Sequence, residues 1–382
     1  MKIAWFRPSG AAADADADHL VEVIRALGAA HHIECVDELR AHDFVWRHAR
    51  GAFDLCVYEL DNTARHQYMW PYLVHYPGVL ALQSATVHDA RRARLVHEGR
   101  QADYHSEIAF AGGPSQVRPP WHMARGQWPM FRIPVTASRL TAVADALLAG
   151  EVAAAVPHAS VRTVTAGVAD PLPGGYQPAP SPTHTVTIAV AEPSRKEVVQ
   201  RAVARLSAEG LPIEVAVEGG AWSRADVVVA TRWPLQGRPL VSGLRAMAAG
   251  RPVIVAETHA TADWPAWDPQ TWRPRDQGRL PGAPAVVSVD PRDEEHSLVL
   301  ALRRLAADAA LRAGLGTAAR AWWATHATID RAVASWLPVL SDAATLPRPE
   351  RPEGWPGHLD ADGSRLTRQI LAKCGYERVP GY

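Results

Sequence analysis

Basic side chains stand in two short loops of the C-terminal half of the sequence. One loop, residues 232–239, carries Arg232 and Arg238, and the other ends in Arg195 and Lys196. Each loop precedes an amphipathic segment, so its backbone N–H groups lie at a helix amino end, where an anion is favoured. A phosphate group is therefore the first candidate ligand. An ordinary surface loop with solvated arginines is the alternative.

The residues around the first loop predict the elements that position it. Residues 226–231 are a β-branched run of the kind that a parallel sheet buries on both faces, and residues 240–248 have apolar side chains at helical spacing. Gly250 and Pro252 end that helix before a second buried run at 253–256. This is a strand–helix–strand unit, and its loop follows the carboxyl end of a strand, where ligands of open α/β sheets bind.

The N-terminal half begins with a similar pattern. Residues 2–6 predict a strand, Ser9 and Gly10 lie in the next loop, and residues 19–27 predict a helix with one apolar face. Further strands are predicted at 33–36, 53–60, 79–82 and 160–165, with a helix from Ser138 to Ala149. Residues 170–184 are rich in proline and glycine and predict a linker.

Two stretches resemble bacterial glycosyltransferases of the large retaining family that includes sucrose synthases and many mannosyltransferases. In the first, the matching residues are Arg232, Pro234, Gly237, Ser242, Leu244, Arg245, Ala246, Ala249, Gly250, Pro252 and Val253. In the second, they are Asn62, His66, Pro71, Tyr72, Leu73, Tyr76, Pro77 and Gly78. The resemblance implies an α/β protein of GT-B fold, in which two Rossmann-like, doubly wound parallel-sheet domains face a cleft and a C-terminal helix crosses back.

The resemblance also implies domain boundaries. We expect an acceptor-side domain over residues 1–170, a linker over 171–184 and a donor-nucleotide domain over 185–325. A crossover helix over 326–345 and a tail over 346–382 complete the chain. At 382 residues, two domains of ordinary size are more plausible than one core.

The implied activity is transfer of a sugar from a nucleotide-diphosphate sugar, with retention of configuration, to an unidentified glycan, lipid-linked or small-molecule acceptor. The donor is a substrate, and neither a resident cofactor nor a metal is implied. Cationic side chains and a helix amino end would stabilise the departing diphosphate. The candidate donor-binding residues are Ser9, Gly10, Arg195, Lys196, Arg232, Gly237, Ser242 and Arg245.

The candidate catalytic residues are Gln83 and His88. Gln83 stands where the family usually has a histidine that contacts the transferred sugar, and Ser84 follows it. A glutamine can hydrogen-bond a sugar hydroxyl but carries neither a proton nor a charge. His88 falls where many relatives have a second histidine. It either serves the cleft or lies on the outer face of a helix.

Two further family positions have changed chemistry. Relatives generally carry two glutamates, seven residues apart, around the donor loop, of which the second holds the ribose, whereas this chain has Gly237-Arg238 and Arg245 there. Between Asp226 and Glu257 the sequence has no carboxylate. Two hypotheses follow: an active glycosyltransferase with an altered ribose contact, or a catalytically degenerate GT-B protein that acts as a binding or scaffold subunit.

Composition limits the other classes. Lysine plus arginine and aspartate plus glutamate number 40 each, so no global field attracts nucleic acid. Cys35, Cys56 and Cys374 form no C-x-x-C pair, and neither a signal peptide nor an apolar run of bilayer length is evident, which favours the cytoplasm. The sequence lacks the glycine fingerprint of an NAD-dependent oxidoreductase, which disfavours that class. Its 17 histidines show no metal-binding spacing, which disfavours a metal hydrolase.

Overall fold

In a computed structural model, the chain forms two six-stranded sheets in which every strand pair is parallel. The structure describes residues 1–10, 19–112, 128–172, 185–215, 225–233, 239–258, 260–275, 283–361 and 370–375. Within these ranges, none of the helices combines the length and apolarity needed to span a lipid bilayer.

The first sheet has the strand order β2-β1-β3-β4-β5-β6. Its strands are β1 (Lys2–Phe6), β2 (His32–Val36), β3 (Leu55–Leu60), β4 (Val79–Leu82), β5 (Leu140–Val143) and β6 (Val161–Thr163). The helices of this half are α1 (His19–Leu27), α2 (Ala41–His48), α3 (Met69–His75), α4 (His88–His97), α5 (Gln101–Phe110), α6 (Arg132–Ala137) and α7 (Ala146–Ala155). The direction of strand addition reverses between β1 and β3, which makes their carboxyl ends the topological switch point.

The second sheet has the order β11-β12-β10-β9-β7-β8, which matches the first sheet around the switch point but exchanges its last two strands. Its strands are β7 (Val186–Val190), β8 (Ile213–Val215), β9 (Val227–Ala230), β10 (Val253–Ala256), β11 (Ala266–Trp267) and β12 (Val286–Val289). Its helices are α8 (Lys196–Ala208), α9 (Val241–Ala248), α10 (Glu294–Ala307) and α11 (Ala309–His326). Here the switch point lies between β7 and β9. Two Rossmann-like halves, as predicted, are confirmed.

The last long helix, α12 (Ile329–Thr345), packs on the first sheet rather than the second. Its buried face joins the apolar cluster formed by β1, β3, β4, β5 and α1. The ring of Trp336 lies 5.2 Å from that of Trp5 on β1. The predicted crossover of the C-terminal helix is therefore confirmed.

The chain passes between the halves twice, and the two passages run side by side. Val168 forms an isolated parallel bridge with Thr328, and its N–H donates to the carbonyl of Ala327 at 3.0 Å. At Gly167 a Cβ would lie 2.5 Å from the carbonyl oxygen of Thr328, so the close approach requires glycine there.

The tail after α12 lies along the first half. Arg348 and Arg351 donate to the carbonyl oxygens of His75 and Val74 at the carboxyl end of α3, where cations are favoured. Further on, the Nε2 of His358 lies 2.8 Å from a carboxylate oxygen of the buried Glu107 on α5. The sequence had suggested no role for this segment.

One predicted element is wrong. The helix expected from Ser138 to Ala149 begins instead as strand β5, and helix α7 starts only at Ala146. The carboxylate of Asp145 accepts a hydrogen bond from the N–H of Leu148 at 2.6 Å and so caps α7. The apolar residues before this cap are buried strand residues, which periodicity over so short a run cannot separate from helix.

Candidate functional site

A buried carboxylate organises the switch point of the second sheet. Glu192, which follows β7, is 4% exposed. One of its oxygens accepts a hydrogen bond from the Nε of Arg232 at 2.8 Å, and the other accepts from the Oγ of Ser242 at 2.9 Å. Glu192 thus joins the loop after β7, the loop after β9 and the first turn of α9. Two sequence-predicted donor residues, Arg232 and Ser242, are brought together by it.

Arg195 lies at the same edge. It ends a short 3-10 turn after β7, donates a hydrogen bond to the carbonyl of Trp233, and has its Nη1 3.6 Å from a carboxylate oxygen of Glu294. Its buried Nε has no hydrogen-bond partner within the described ranges. Lys196 follows as the first residue of α8 and is half-buried. The predicted cationic pair therefore begins a helix next to Arg232.

The remaining two donor candidates of this half behave differently. The Nη2 of Arg245 lies 3.5 Å from a carboxylate oxygen of Glu22 on α1, with both side chains about one-quarter exposed. Arg245 therefore joins the two halves, and its contact with a donor stays a prediction. Gly237 lies outside the described residues.

The loop after β1 carries the other predicted contacts. The backbone N–H of Ser9 donates to the carboxylate of Glu38 at 2.9 Å, and its hydroxyl donates to the second oxygen of that group. Gly10 has φ of +61°, a left-handed conformation that favours glycine. Arg65 donates to the carbonyl of Ser9. Ser9 and Gly10 thus form a fixed turn at the first switch point.

Gln83 lies at the carboxyl end of β4, where its N–H donates to the carbonyl of Leu60 at 2.8 Å. Its side chain is half-buried. His88 is the first residue of α4 and is completely buried, with its Nε2 2.7 Å from the hydroxyl of Tyr104 on α5. This burial excludes the outer-face position and disfavours direct contact with a substrate. A catalytic role for either residue stays a prediction.

A cavity of about 320 Å³ lies between the halves. The first half contributes residues 144–146 and 163–166, and the second half contributes Leu240 at the start of α9. Trp264 and Trp322 form an aromatic wall with ring centroids 5.3 Å apart. Apolar surface with a few polar groups is typical of a small-molecule site.

The described residues contain no group of three or more histidine, cysteine, aspartate or glutamate side chains arranged to hold a metal ion. Charge stabilisation in this site can come from the arginines and the helix amino ends that the structure brings together. Arg232 and Arg195, held by Glu192 and Glu294, are the groups placed to supply it.

Buried acids lie at both switch points and were not among the residues predicted from the sequence. Glu192 lies outside the stretch in which a carboxylate was sought, although its position directly after a buried strand was a usable signal. In the first half, Glu59 accepts a hydrogen bond from the indole N–H of Trp5 at 2.7 Å and lies 4.0 Å from the Nε of Arg7. Asp61 follows β3 and is 3% exposed. Glu59 lies within the predicted strand 53–60 and Asp61 directly follows it, so both were interpreted as part of the core.

The sequence matches no known family profile and no curated protein. Its fold does have solved counterparts. HepE of Anabaena, solved with UDP and glucose, has a TM-score of 0.56 at 12% identity, covering 89% of this chain and 99% of that chain. The HepE complex with UDP-glucose gives 0.53 at 12% identity over the same shares of the chains. Together with the two sheets and the returning helix, this likeness defines the fold as GT-B.

Proposed function

We propose that this protein is a glycosyltransferase that binds a nucleotide-diphosphate sugar at the carboxyl edge of the second sheet. The observation that carries the proposal is the network in which Glu192 holds Arg232 and Ser242 at the switch point, beside Arg195. Open α/β sheets bind ligands at this position. HepE, which shares the fold, was solved with UDP-glucose, a donor of the proposed class.

The chemistry needs a stabilised leaving group, since breaking the glycosidic bond releases a nucleoside diphosphate. Glu192 engages Arg232 through Nε, and this contact fixes the plane of the guanidinium group. The first turn of α9, which contains the buried Ser242, presents backbone N–H groups and the positive end of a helix dipole. Fixed positive charge of this kind favours the transition state without further reorganisation. Lys196 and Arg245 are proposed as additional donor contacts.

We assign the acceptor to the edge of the first sheet, where Ser9, Gly10 and Gln83 follow β1 and β4. The amide of Gln83 can orient a sugar hydroxyl by hydrogen bonding. His88, fully buried against Tyr104, is proposed to position α4 and not to contact the sugar. Hexosyl transfer with retention of configuration, independent of a metal, is part of this proposal.

The test begins with UDP- and GDP-sugars added to the full chain, followed by thermal shift and by release of nucleoside diphosphate. We expect a donor-dependent rise in Tm and measurable release. Arg232→Ala should lower turnover on the order of 10²–10³-fold, as loss of one preorganised charge contact does in other active sites. The control is Arg292→Ala, which removes an exposed arginine after β12 that pairs with Asp290.

The outcomes separate the two hypotheses. A shift without turnover supports a binding or scaffold subunit that has lost catalysis. If no nucleotide sugar shifts Tm, or if Arg232→Ala and Arg292→Ala behave alike, the donor site is not where we place it.

A further inference from the structure

A small cavity, of about 210 Å³, lies at the edge of the first sheet formed by the amino ends of its strands. Its lining includes Asp54, Pro77 and Arg139, which stand just before β3, β4 and β5. Because these strands are parallel, the cavity lies at the opposite edge from Ser9 and Gln83. The transfer chemistry proposed above belongs to the carboxyl edges and does not use this cavity.

Two arginines from distant parts of the sequence line this cavity. Arg139 belongs to the first half, and Arg348 belongs to the tail that follows α12. Arg348 donates a hydrogen bond to the carbonyl of His75 at the end of α3. Arg139 donates to the carbonyl of Ala343 near the end of α12 at 3.4 Å. Both side chains are therefore held by backbone carbonyl groups at the cavity.

The charges of these two arginines are not compensated by contact with an acid. Among the described residues, neither Arg139 nor Arg348 forms an ion pair with a carboxylate. Asp54 also lines the cavity, but it is exposed and accepts a hydrogen bond from the backbone N–H of Lys2 at 2.7 Å. Each guanidinium group has five N–H donors, so donors remain beyond the single carbonyl bond of each side chain.

Three other lining groups respond to the positive charge of these arginines. Burial lowers the pKa of His48, and the charges of Arg139 and Arg348 lower it further. Burial raises the pKa of Cys56 and of Tyr76. Arg139 opposes this rise at Cys56, and Arg348 opposes it at Tyr76. The charges of both arginines therefore act on groups that line the cavity, and this favours an anion there.

We propose that this cavity binds a phosphate group, held between the guanidinium groups of Arg139 and Arg348. Guanidinium donors match the oxygens of a phosphate in paired, charge-assisted hydrogen bonds. The cavity has room for one phosphate group and a few water molecules, each of which takes about 30 Å³. Since one arginine belongs to the first half and the other to the tail, the bound phosphate links these two segments. The site goes beyond the proposed donor site and does not depend on it.

Capping of helix ends is the competing role for the two arginines, because cations are favoured at the carboxyl ends of helices such as α3 and α12. The two roles differ in one measurable respect. Arginines that only cap helices give no binding of added phosphate at this place, whereas a phosphate site does.

The first experiment is isothermal titration of the full chain with inorganic phosphate. Arg348→Gln, a change at an exposed side chain, should weaken binding at this site about tenfold through the loss of a charge-assisted hydrogen bond. The matched control is Arg331→Gln. Arg331 is also exposed and also has no ion pair among the described residues, but it is not part of the cavity lining. This variant should bind phosphate as the parent does.

The second experiment locates the site in the unmodified sequence. Phenylglyoxal reacts with accessible arginines, and mass spectrometry identifies the residues that have reacted. Inorganic phosphate should slow the reaction at Arg348 and leave the rate at Arg331 unchanged. Absence of protection at Arg348, or equal phosphate affinity in Arg348→Gln and Arg331→Gln, overturns the site. Because protection is measured at Arg348 itself, failure of the donor proposal leaves this result unaffected.

Vesicles distinguish the two sources of the phosphate group. Phosphatidylcholine vesicles with and without phosphatidic acid are sedimented with the parent and with both variants. Binding that requires phosphatidic acid and is weakened only by Arg348→Gln assigns the site to a lipid headgroup. Protection by inorganic phosphate without vesicle binding assigns it to a soluble phosphomonoester.

Discussion

The two halves share the strand order around their switch points but carry different charged side chains there. At the β1/β3 switch point the buried groups are mainly acidic, with Glu59 and Asp61 under 6% exposed. At the β7/β9 switch point the carboxylates Glu192 and Glu294 are accompanied by Arg232 and Arg195, and both arginines are about one-fifth exposed. The fold determines where a ligand can approach, and the side chains at that place determine its charge.

The acids also differ in what they hold. Glu59 bonds to Trp5 and lies near Arg7, both on or next to the adjoining strand, so it belongs to the interior of the first half. Glu192 instead connects Arg232 and Ser242, which follow β9 and begin α9. We therefore expect substitutions in the first half to change stability, and the Glu192 network to change ligand binding.

The largest effect is expected at Glu107, fully buried in the first half. Burial alone would raise its pKa, but Arg91 and His358 hold that pKa below the usual range, so the carboxylate is ionised at pH 7. Glu107→Gln would leave Arg91 buried and unpaired, and we expect a loss of about 3–5 kcal/mol in the free energy of unfolding in urea. The exposed pair in the second half gives the control: Glu295→Gln, opposite Arg201, should cost less than about 1 kcal/mol. Similar losses of unfolding free energy in the two variants would contradict the expected difference between the buried and the exposed ion pair.

The next effect is a dependence on pH that originates in the first half. Burial, assisted by Arg65 and Arg7, lowers the pKa of His66 to about 4. The unfolded chain binds a proton at this histidine more readily than the folded chain does. The neutral His66 therefore contributes at most about 3 kcal/mol to the free energy of unfolding above about pH 6.5, and this contribution is lost as the pH falls toward 4. His66→Asn should flatten the unfolding free energy over that range, and the exposed His296→Asn should not. A parallel slope in both variants would place the titration elsewhere.

The smallest of these effects tests the second half directly. Glu192→Gln keeps the shape of the side chain but removes its charge. We expect about a tenfold loss of UDP affinity and a loss of about 1–2 kcal/mol in the free energy of unfolding. Glu59→Gln is its counterpart at the other switch point and should cost stability while UDP affinity is retained. Isothermal titration and urea unfolding of both proteins measure the two quantities. An equal loss of affinity would remove the distinction between the halves.

The sequence predicted most of the fold because buried parallel strands have uninterrupted apolar runs that stand apart from amphipathic helices. It failed around Ser138, where β5 is too short for periodicity to identify. The outer-face alternative for His88 is excluded by its burial against Tyr104, a contact between separate helices that no local pattern contains, and its catalytic role stays a prediction. Glu192 was overlooked because its partner Ser242 lies fifty residues further along the chain.

Helix α12 has a consequence for how the protein is made. Ala332, Trp336 and Leu340, all buried, belong to the same apolar cluster as β1, which lies more than three hundred residues earlier in the sequence. The part of this cluster that α1 does not cover stays exposed until α12 has been synthesised. A nascent chain stalled after the first sheet, or a truncation before α12, should consequently expose apolar surface and depend on chaperones.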